Sequence, residues 1–223
     1  MSYDILIFDA DNTLLDFDFA EKQAHKNASK IFNLEVNETL YRTYQKINDS
    51  WWKKYEQALF TKDEITVFRF KEYLALINSN VDPSLFNQTF LNELSNCTQT
   101  ISGAYEVLEN LKKLNKRIFI ATNGITRVQQ KRLNTQDFIK FVDGIFVSEE
   151  MGYPKPELNF FINAQKKANL TFDKSTAYAK VNRPIPVTLY ILSSILTLHG
   201  ISTSVKLSYE TSLITFTVES EVI

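Results

Sequence analysis

Ile5-Leu6-Ile7-Phe8 is a short apolar run that leads into two carboxylates two positions apart, Asp9 and Asp11. No other feature constrains the fold of this chain as much. An unbroken apolar stretch of this length reads as a strand buried on both faces, the kind found in parallel α/β sheets. In such sheets ligands bind beyond the carboxyl ends of the strands. Asp9-Ala10-Asp11-Asn12 therefore falls at the edge where chemistry is done. Two carboxylates this close repel each other unless a cation or a shared proton compensates, and a magnesium ion would serve. One carboxylate is then available as a nucleophile and the other as a proton carrier. The same four residues also read as a plain acidic turn without chemistry.

The rest of the chain falls into two patterns. Residues 16–98 show helical periodicity throughout. Phe19, Ala20 and Ala24 open it, and Leu40, Tyr44, Ile47, Trp51 and Trp52 continue it. Ile65, Phe68, Tyr73 and Leu74 form another face, and Leu85, Phe86, Phe90, Leu91 and Leu94 form the last. Asp82-Pro83 marks a helix start. From Ser102-Gly103 onward, helical and strand patterns alternate. Helix is expected at 105–114, 126–133 and 156–168, with Pro156 in the first turn, and strand at 117–121 and 144–147. Such alternation predicts a parallel sheet with right-handed crossovers. The expected architecture is a three-layer α/β core, residues 1–15 and 99–223, with an all-helical insert at 16–98. The carboxyl ends of the first two strands should bring Asp9 and Thr122 to one cleft.

Composition narrows the function. The 223 residues carry a formal net charge of −1, which argues against a polyanion-binding surface and so against a nucleic-acid polymer as partner. Cys97 is the one cysteine, so no internal disulfide forms, and the reading is a reducing, cytoplasmic setting. The N-terminus enters a strand at once without a signal-type segment. The apolar stretch Val187 to Leu198 is too short and too polar to span a bilayer, so no membrane partner is expected. His25 and His199 lack metal-ligand spacing.

Two further segments carry chemistry. Ile120-Ala121-Thr122-Asn123-Gly124 ends a strand in a hydroxyl and backbone amides, which are good phosphate donors, and Gly124 allows close backbone approach. Alone it would read better as a helix cap. Gly152-Tyr153-Pro154-Lys155-Pro156 fixes a lysine between two prolines, where its ammonium can offset carboxylate and phosphoryl charge. Aromatic side chains of the helical insert, Trp51, Trp52, Tyr55, Phe68 and Phe70, could stack on a nucleobase, with Arg69 facing the site, although helical spacing favours a core role.

Together with Phe8-Asp9-Ala10-Asp11-Asn12-Thr13-Leu14, these segments resemble three of the four motifs of the haloacid dehalogenase superfamily. The resemblance covers residues 3 to about 176. Within the superfamily the chain is similar to the noncanonical pyrimidine nucleotidases. That likeness rests on Asn123-Gly124 followed by Val128-Gln129-Gln130 and Arg132-Leu133, and on Val147-Ser148-Glu149-Glu150-Met151-Gly152. The resemblance implies a Rossmann-like core with a helical cap and a magnesium-dependent phosphomonoesterase. Asp9 would form an aspartyl-phosphate, Asp11 would protonate the leaving alcohol and then activate water, and Lys155 would complete the catalytic set. Thr122, Asn123 and Gly124 would bind phosphate, and Asp9 and Asp11 would hold magnesium. The implied substrate is a small phosphorylated metabolite, favoured as a pyrimidine nucleoside 5′-monophosphate. A phosphosugar phosphatase or mutase is the alternative.

The tail departs from this pattern. The superfamily's fourth motif, a Gly-Asp pair with another Asp close behind, would complete the magnesium site near residue 180. Here Ser175 to Pro186 contains no acidic residue, and no Asp follows Asp173. The remaining acids, Glu210, Glu219 and Glu221, lie far downstream. From about 177 the sequence is β-prone, as in Ser212 to Val218. A shifted reading frame would account for this, which makes a phosphate-binding pseudoenzyme or an inactive product the rival reading.

Overall fold

The computed structural model describes residues 4–171, 176–179, 190–191, 203–210 and 213–220. Residues 180–189, where the resemblance implies a fourth motif, lie outside the described residues, as does most of Val187 to Leu198. The chain divides into two compact units, Met1–Phe17 with Thr98–Ile223, and Asp18–Cys97.

The first unit is built on a parallel sheet. Strands β1 (Ile5–Asp9), β2 (Arg117–Thr122), β3 (Gly144–Val147) and β4 (Thr176–Ala179) lie in the order β3-β2-β1-β4. Register pairs Ile5 with Arg117 and Asp9 with Ala121, and on the other side Ile5 with Thr176. The chain thus lays strands outward from β1 and then returns to its opposite side. Such a reversal of strand order is where open sheets bind ligands.

Side chains alternate across a strand, so β1 feeds two cores. Leu6 and Phe8 join Ile118 and Ile120 under α5 (Ala104–Lys113), α6 (Thr126–Asn134) and a 3-10 helix at Asp137–Phe141, through Leu108, Leu111, Leu133 and Phe138. Ile5 and Ile7 join Phe119, Ala121 and Phe146 under the short α7 (Ser148–Met151) and α8 (Leu158–Ala168), through Met151, Phe160, Phe161 and Ala164. Burial of both faces explains why these strands read as apolar runs instead of alternating ones. The three-layer α/β fold matches expectation. One boundary does not. Helix α8 starts at Leu158, with Pro156 outside it and the Lys155-Pro156 peptide cis. The short α7 and the 3-10 helix were not legible as periodic segments, because neither is long enough to show a period. At the other end of the chain β5 (Tyr190–Ile191), β6 (Thr203–Glu210) and β7 (Leu213–Ser220) form a separate antiparallel sheet. This agrees with the β-prone tail.

The second unit consists of α1 (Phe17–Ile31, whose first residue belongs to the other unit), α2 (Glu38–Glu56), α3 (Lys62–Leu76) and α4 (Pro83–Asn96). Local chemistry fixes where three of them start. Asn37 caps α2 by accepting from the Leu40 amide, and Asp82 caps α4 by accepting from Leu85, with Pro83 in the first turn. Thr61 and Glu64 form a capping box on α3. Each such cap stabilises its helix by about 1 kcal/mol.

The interior of this unit is polar as well as aromatic. Glu21 is buried and accepts from Asn48 (2.8 Å) and the Tyr41 hydroxyl (3.2 Å). Buried Arg69 donates to Asn48 (2.7 Å), Asn87 (3.3 Å) and the Thr66 carbonyl (3.2 Å), with its guanidinium over the Phe70 and Phe90 rings. Arg69 and Phe70 are thus interior residues of the helical unit, the core role that helical spacing favoured. His25 stacks on Tyr44 at 4.7 Å between centroids, with Tyr41, Tyr73 and Phe86 around it.

Burial acts on the two titratable groups in opposite senses. It pushes the Glu21 carboxyl up to about 7, with Arg69 opposing, and it pushes the His25 imidazole down to about 4. A carboxyl whose folded pKa is raised binds more protons folded than unfolded, so its contribution falls as pH rises from its unfolded value toward 7. A histidine whose folded pKa is lowered binds fewer, so stability is lost as pH falls from its unfolded value near 6.5 toward 4. The two slopes oppose each other between about pH 4.5 and 6.5. We expect Glu21→Gln to leave a protein that gains thermal stability as pH rises through this window. His25→Phe should lose stability over the same window. Unfolding midpoints of both variants across pH 4.5–7 check this; parallel slopes would contradict it.

Candidate active site

The carboxyl edge of the sheet collects the residues singled out by sequence. Asp9 is the last residue of β1 and Thr122 the last of β2. Pleating continues Asp9 from the Ile5–Ile7 face and Thr122 from the Ile118–Ile120 face. No shared sheet face brings them together; side chains that arrive from later in the chain meet each of them at its strand end.

Lys155 is the first of these. Its Nζ donates to Asp9 Oδ1 at 2.7 Å and to the Ala121 carbonyl at 2.6 Å, so one ammonium spans the ends of β1 and β2. Both partners of the ion pair are almost wholly removed from solvent, with 10% and 11% of their side chains exposed. Asp9 Oδ1 also accepts from the Ala10 amide at 2.9 Å. Asn123 fixes the segment that carries Lys155. Its side-chain amide donates to the Lys155 carbonyl (2.9 Å) and accepts from the Lys155 amide (2.8 Å), copying a strand-type pairing. The side chain of Asn123 thus holds the Thr122 and Lys155 segments together, a use that sequence reasoning did not anticipate.

After Asp9 the chain turns tightly. The Ala10 carbonyl accepts from the amides of Leu14 and Leu15, and Asn12 adopts φ 57°, a left-handed conformation that Asn tolerates. The turn raises Asp11 beside Asp9, and Asp11 meets two residues of α6. Arg132 Nη1 donates to Asp11 Oδ1 at 2.7 Å. Gln129 Nε2 donates to Asp11 Oδ2 and, at 2.9 Å, to the Thr122 hydroxyl. Thr122 Oγ1 accepts as well from the Gly124 amide at 3.0 Å. Burial raises the Asp11 carboxyl above its ordinary value; the Arg132 guanidinium pulls it down, and neighbouring Asp9 pushes it up again.

Gly124 was expected to let a ligand approach the backbone. The space beside it is taken by a side chain: a Cβ built there would lie 2.4 Å from Gln129 Nε2. Asp9, Asn123 and Lys155 therefore form one hydrogen-bonded set and Asp11, Thr122 and Gly124 a second, and the two adjoin along the chain at Asp9 to Asp11 and at Thr122-Asn123. Gln129 and Arg132 belong to the second set, although sequence reading assigned them no role in the chemistry. Their signal was available: two polar residues one helical turn apart, flanked by Val128 and Leu133, on the face that packs into the core.

A family model for haloacid dehalogenase-like hydrolases matches residues 3–178. The chain belongs to the haloacid dehalogenase-like hydrolases. It is 33% identical over 159 residues to the HAD-hydrolase YfnB of Bacillus subtilis, covering 71% of this chain and 67% of that protein. It is 32% identical over 161 residues to the pyrimidine 5′-nucleotidase PynA of Streptococcus pneumoniae, covering 72% and 68%. The pyrimidine 5′-nucleotidase YjjG of Escherichia coli is 29% identical over 170 residues, covering 75% and 72%. A crystal structure of YfnB bound to magnesium superposes with a TM-score of 0.75 at 30% identity, covering 80% of this chain and 78% of that one. Membership in this hydrolase family makes the chain an enzyme by descent. No helix among the described residues is long and apolar enough to cross a membrane.

The double bond between Asn123 and Lys155 is open to test in this hydrolase. Each intramolecular hydrogen bond contributes roughly 0.5–1.5 kcal/mol, and partners left unsatisfied cost more. Asn123→Ala should destabilise the first unit by about 1–3 kcal/mol. Denaturant unfolding followed by far-ultraviolet circular dichroism measures it; an unchanged midpoint would show that the pairing is dispensable.

Proposed function

We propose that this chain is a magnesium-dependent phosphomonoesterase that works through an aspartyl-phosphate on Asp9, with a pyrimidine nucleoside 5′-monophosphate as substrate. The observation that carries the reading is the ion-paired edge itself. A nucleophilic carboxylate lies against a buried ammonium, and a second carboxyl with raised pKa stands two residues on. A carboxylate attacking a phosphate dianion meets charge repulsion, and Lys155 offsets it. An oxygen of Asp9 attacks phosphorus and the bond to the ester oxygen breaks. Asp11 delivers its proton to that leaving oxygen, because an alkoxide is too basic to depart unaided. Water then attacks phosphorus, Asp11 takes its proton, and the bond to Asp9 breaks to release phosphate. Thr122 and the backbone of Asn123 are the phosphate-binding set, with Gly124, whose amide is engaged by the Thr122 hydroxyl, holding that hydroxyl in place. The nucleotide assignment draws on the likeness to PynA and YjjG, and a small phosphorylated metabolite needs no polymer-binding surface. The helical unit acts as the cap, and the setting is cytoplasmic.

The donor set bears on the metal. Among the described residues no group of three or more His, Cys, Asp or Glu side chains could hold a metal ion. Magnesium is nonetheless commonly held by one or two carboxylates, substrate phosphate and several waters. Asp9 and the main-chain carbonyl of Asp11 fit that description; the Asp11 carboxyl is engaged by Arg132 and Gln129. When bound, the ion would neutralise phosphoryl charge in the transition state. With so few anionic ligands its affinity should be low, and the chain should need far more magnesium than its relatives.

Asp9→Asn should abolish phosphate release from nucleoside monophosphates without unfolding the protein; retained turnover would refute the aspartyl-phosphate route. Phosphate release should rise with magnesium into the high millimolar range. A version whose residues after Thr176 are replaced by those of YfnB should saturate at much lower concentration. Saturation of the unmodified chain at micromolar magnesium would mean that another residue completes the site. A panel of nucleotides and phosphosugars decides the substrate, and preference for a phosphosugar would favour the sugar-phosphatase alternative.

A further inference from the structure

We propose that Gln129 and Arg132 are positioning residues for Asp11, holding its carboxyl beside the Thr122 hydroxyl so that it meets the leaving oxygen of a phosphomonoester. This deepens the phosphatase reading and rests on it.

Geometry carries the inference. Each Asp11 oxygen has its own donor, Arg132 on Oδ1 and Gln129 on Oδ2. A carboxyl held at both oxygens cannot turn about its last torsion. Arg132 has no exposed surface, and Gln129 has 1%. Charged side chains are almost never buried this fully without a partner that requires them. The guanidinium also lies 5.8 Å from the Phe17 ring centroid, within reach of a cation–π contact. Gln129 does a second job with the same nitrogen, since it also reaches Thr122. The acid carboxyl and the phosphate-side hydroxyl are thereby referenced to one amide. Room for that amide exists because residue 124 has no side chain. Lys155 serves Asp9 in a parallel way, so each carboxylate of the edge has its own cation. Neither Gln129 nor Arg132 gains or loses a proton in the reaction. Their contribution is placement, and a displacement of about 1 Å at a reacting group can cost about 10²-fold in rate.

The test exploits leaving groups. A nucleoside leaves as an alcohol and needs the Asp11 proton; p-nitrophenolate leaves without one. kcat/KM reports the step in which the ester bond breaks. Gln129→Met keeps volume but loses the donor. Arg132→Lys keeps charge but loses the fork. At saturating magnesium, each variant should lose about 10²-fold in kcat/KM for a pyrimidine nucleoside monophosphate. Arg132→Lys should stay close to the parent with p-nitrophenyl phosphate, and Gln129→Met, which also releases the Thr122 hydroxyl, should lose far less there than with the nucleotide. Equal loss on both substrates in folded variants, or loss on neither, overturns the proposal. A second readout needs no turnover: the carboxyl ¹³C resonance of Asp11, assigned by its disappearance in Asp11→Asn. It should move in Gln129→Met and Arg132→Lys, and an unmoved resonance overturns the proposal as well. If Asp9→Asn still turns over, or Asp11→Asn slows both substrates alike, the phosphatase reading is what fails. The resonance then still decides whether the clamp exists.

Discussion

Two carboxylates stand two residues apart at the end of a buried strand, and the rest of the sheet edge is arranged around their charge. In water such a pair is cheap. At a desolvated strand end each needs a counter-charge within hydrogen-bonding distance. Lys155 reaches Asp9 from 146 positions away, and Arg132 reaches Asp11 from 121 positions away. Neither cation comes from β1 or the turn behind it. The edge is neutralised only when the segments after β2 and β3 have packed, so the charge balance and the fold are formed together.

The same coupling explains the side chains that hold these cations. Asn123 imitates a strand partner for the backbone around Lys155, and Gln129 links Asp11 to Thr122. These are neutral amides with both donor and acceptor capacity, which lets one residue join two segments without adding charge. The helical unit solves a related problem differently. Glu21 and Arg69 lie in its interior and are joined through Asn48, which accepts from one and donates to the other. Aromatic rings fill the remaining volume around them.

Much of this was legible in the sequence, for local reasons. Ile5 to Phe8 and Ile118 to Ala121 are apolar on every residue because both faces of the sheet are covered. The cap at Asp82 is short-range chemistry and marks a helix start without any tertiary information. What failed to show was structure with no period to detect. Helix α7 is four residues long, and Pro156 resembles a first-turn proline although it precedes the helix by two residues. At Gly124 the missing side chain leaves space beside the backbone, and the group occupying it is a side chain of the following helix.

The sequence by itself determined the layer order, the strand ends and the identity of the groups delivered to them, because periodicity, capping and turn chemistry act over a few residues. It determined too that no aspartate follows Asp173, whatever the tail folds into. Tertiary structure alone decided which cation meets which carboxylate. Two flanking prolines mark Lys155 in the sequence, and an apolar-flanked helix face marks Arg132, but nothing local says which carboxylate either will meet. The distinction arises when β2 pairs with β1 in the register Asp9 to Ala121 and α6 lays its buried face against the core. That packing carries Arg132 and Gln129 to the turn after β1, and only there does burial make their charge and hydrogen bonds matter.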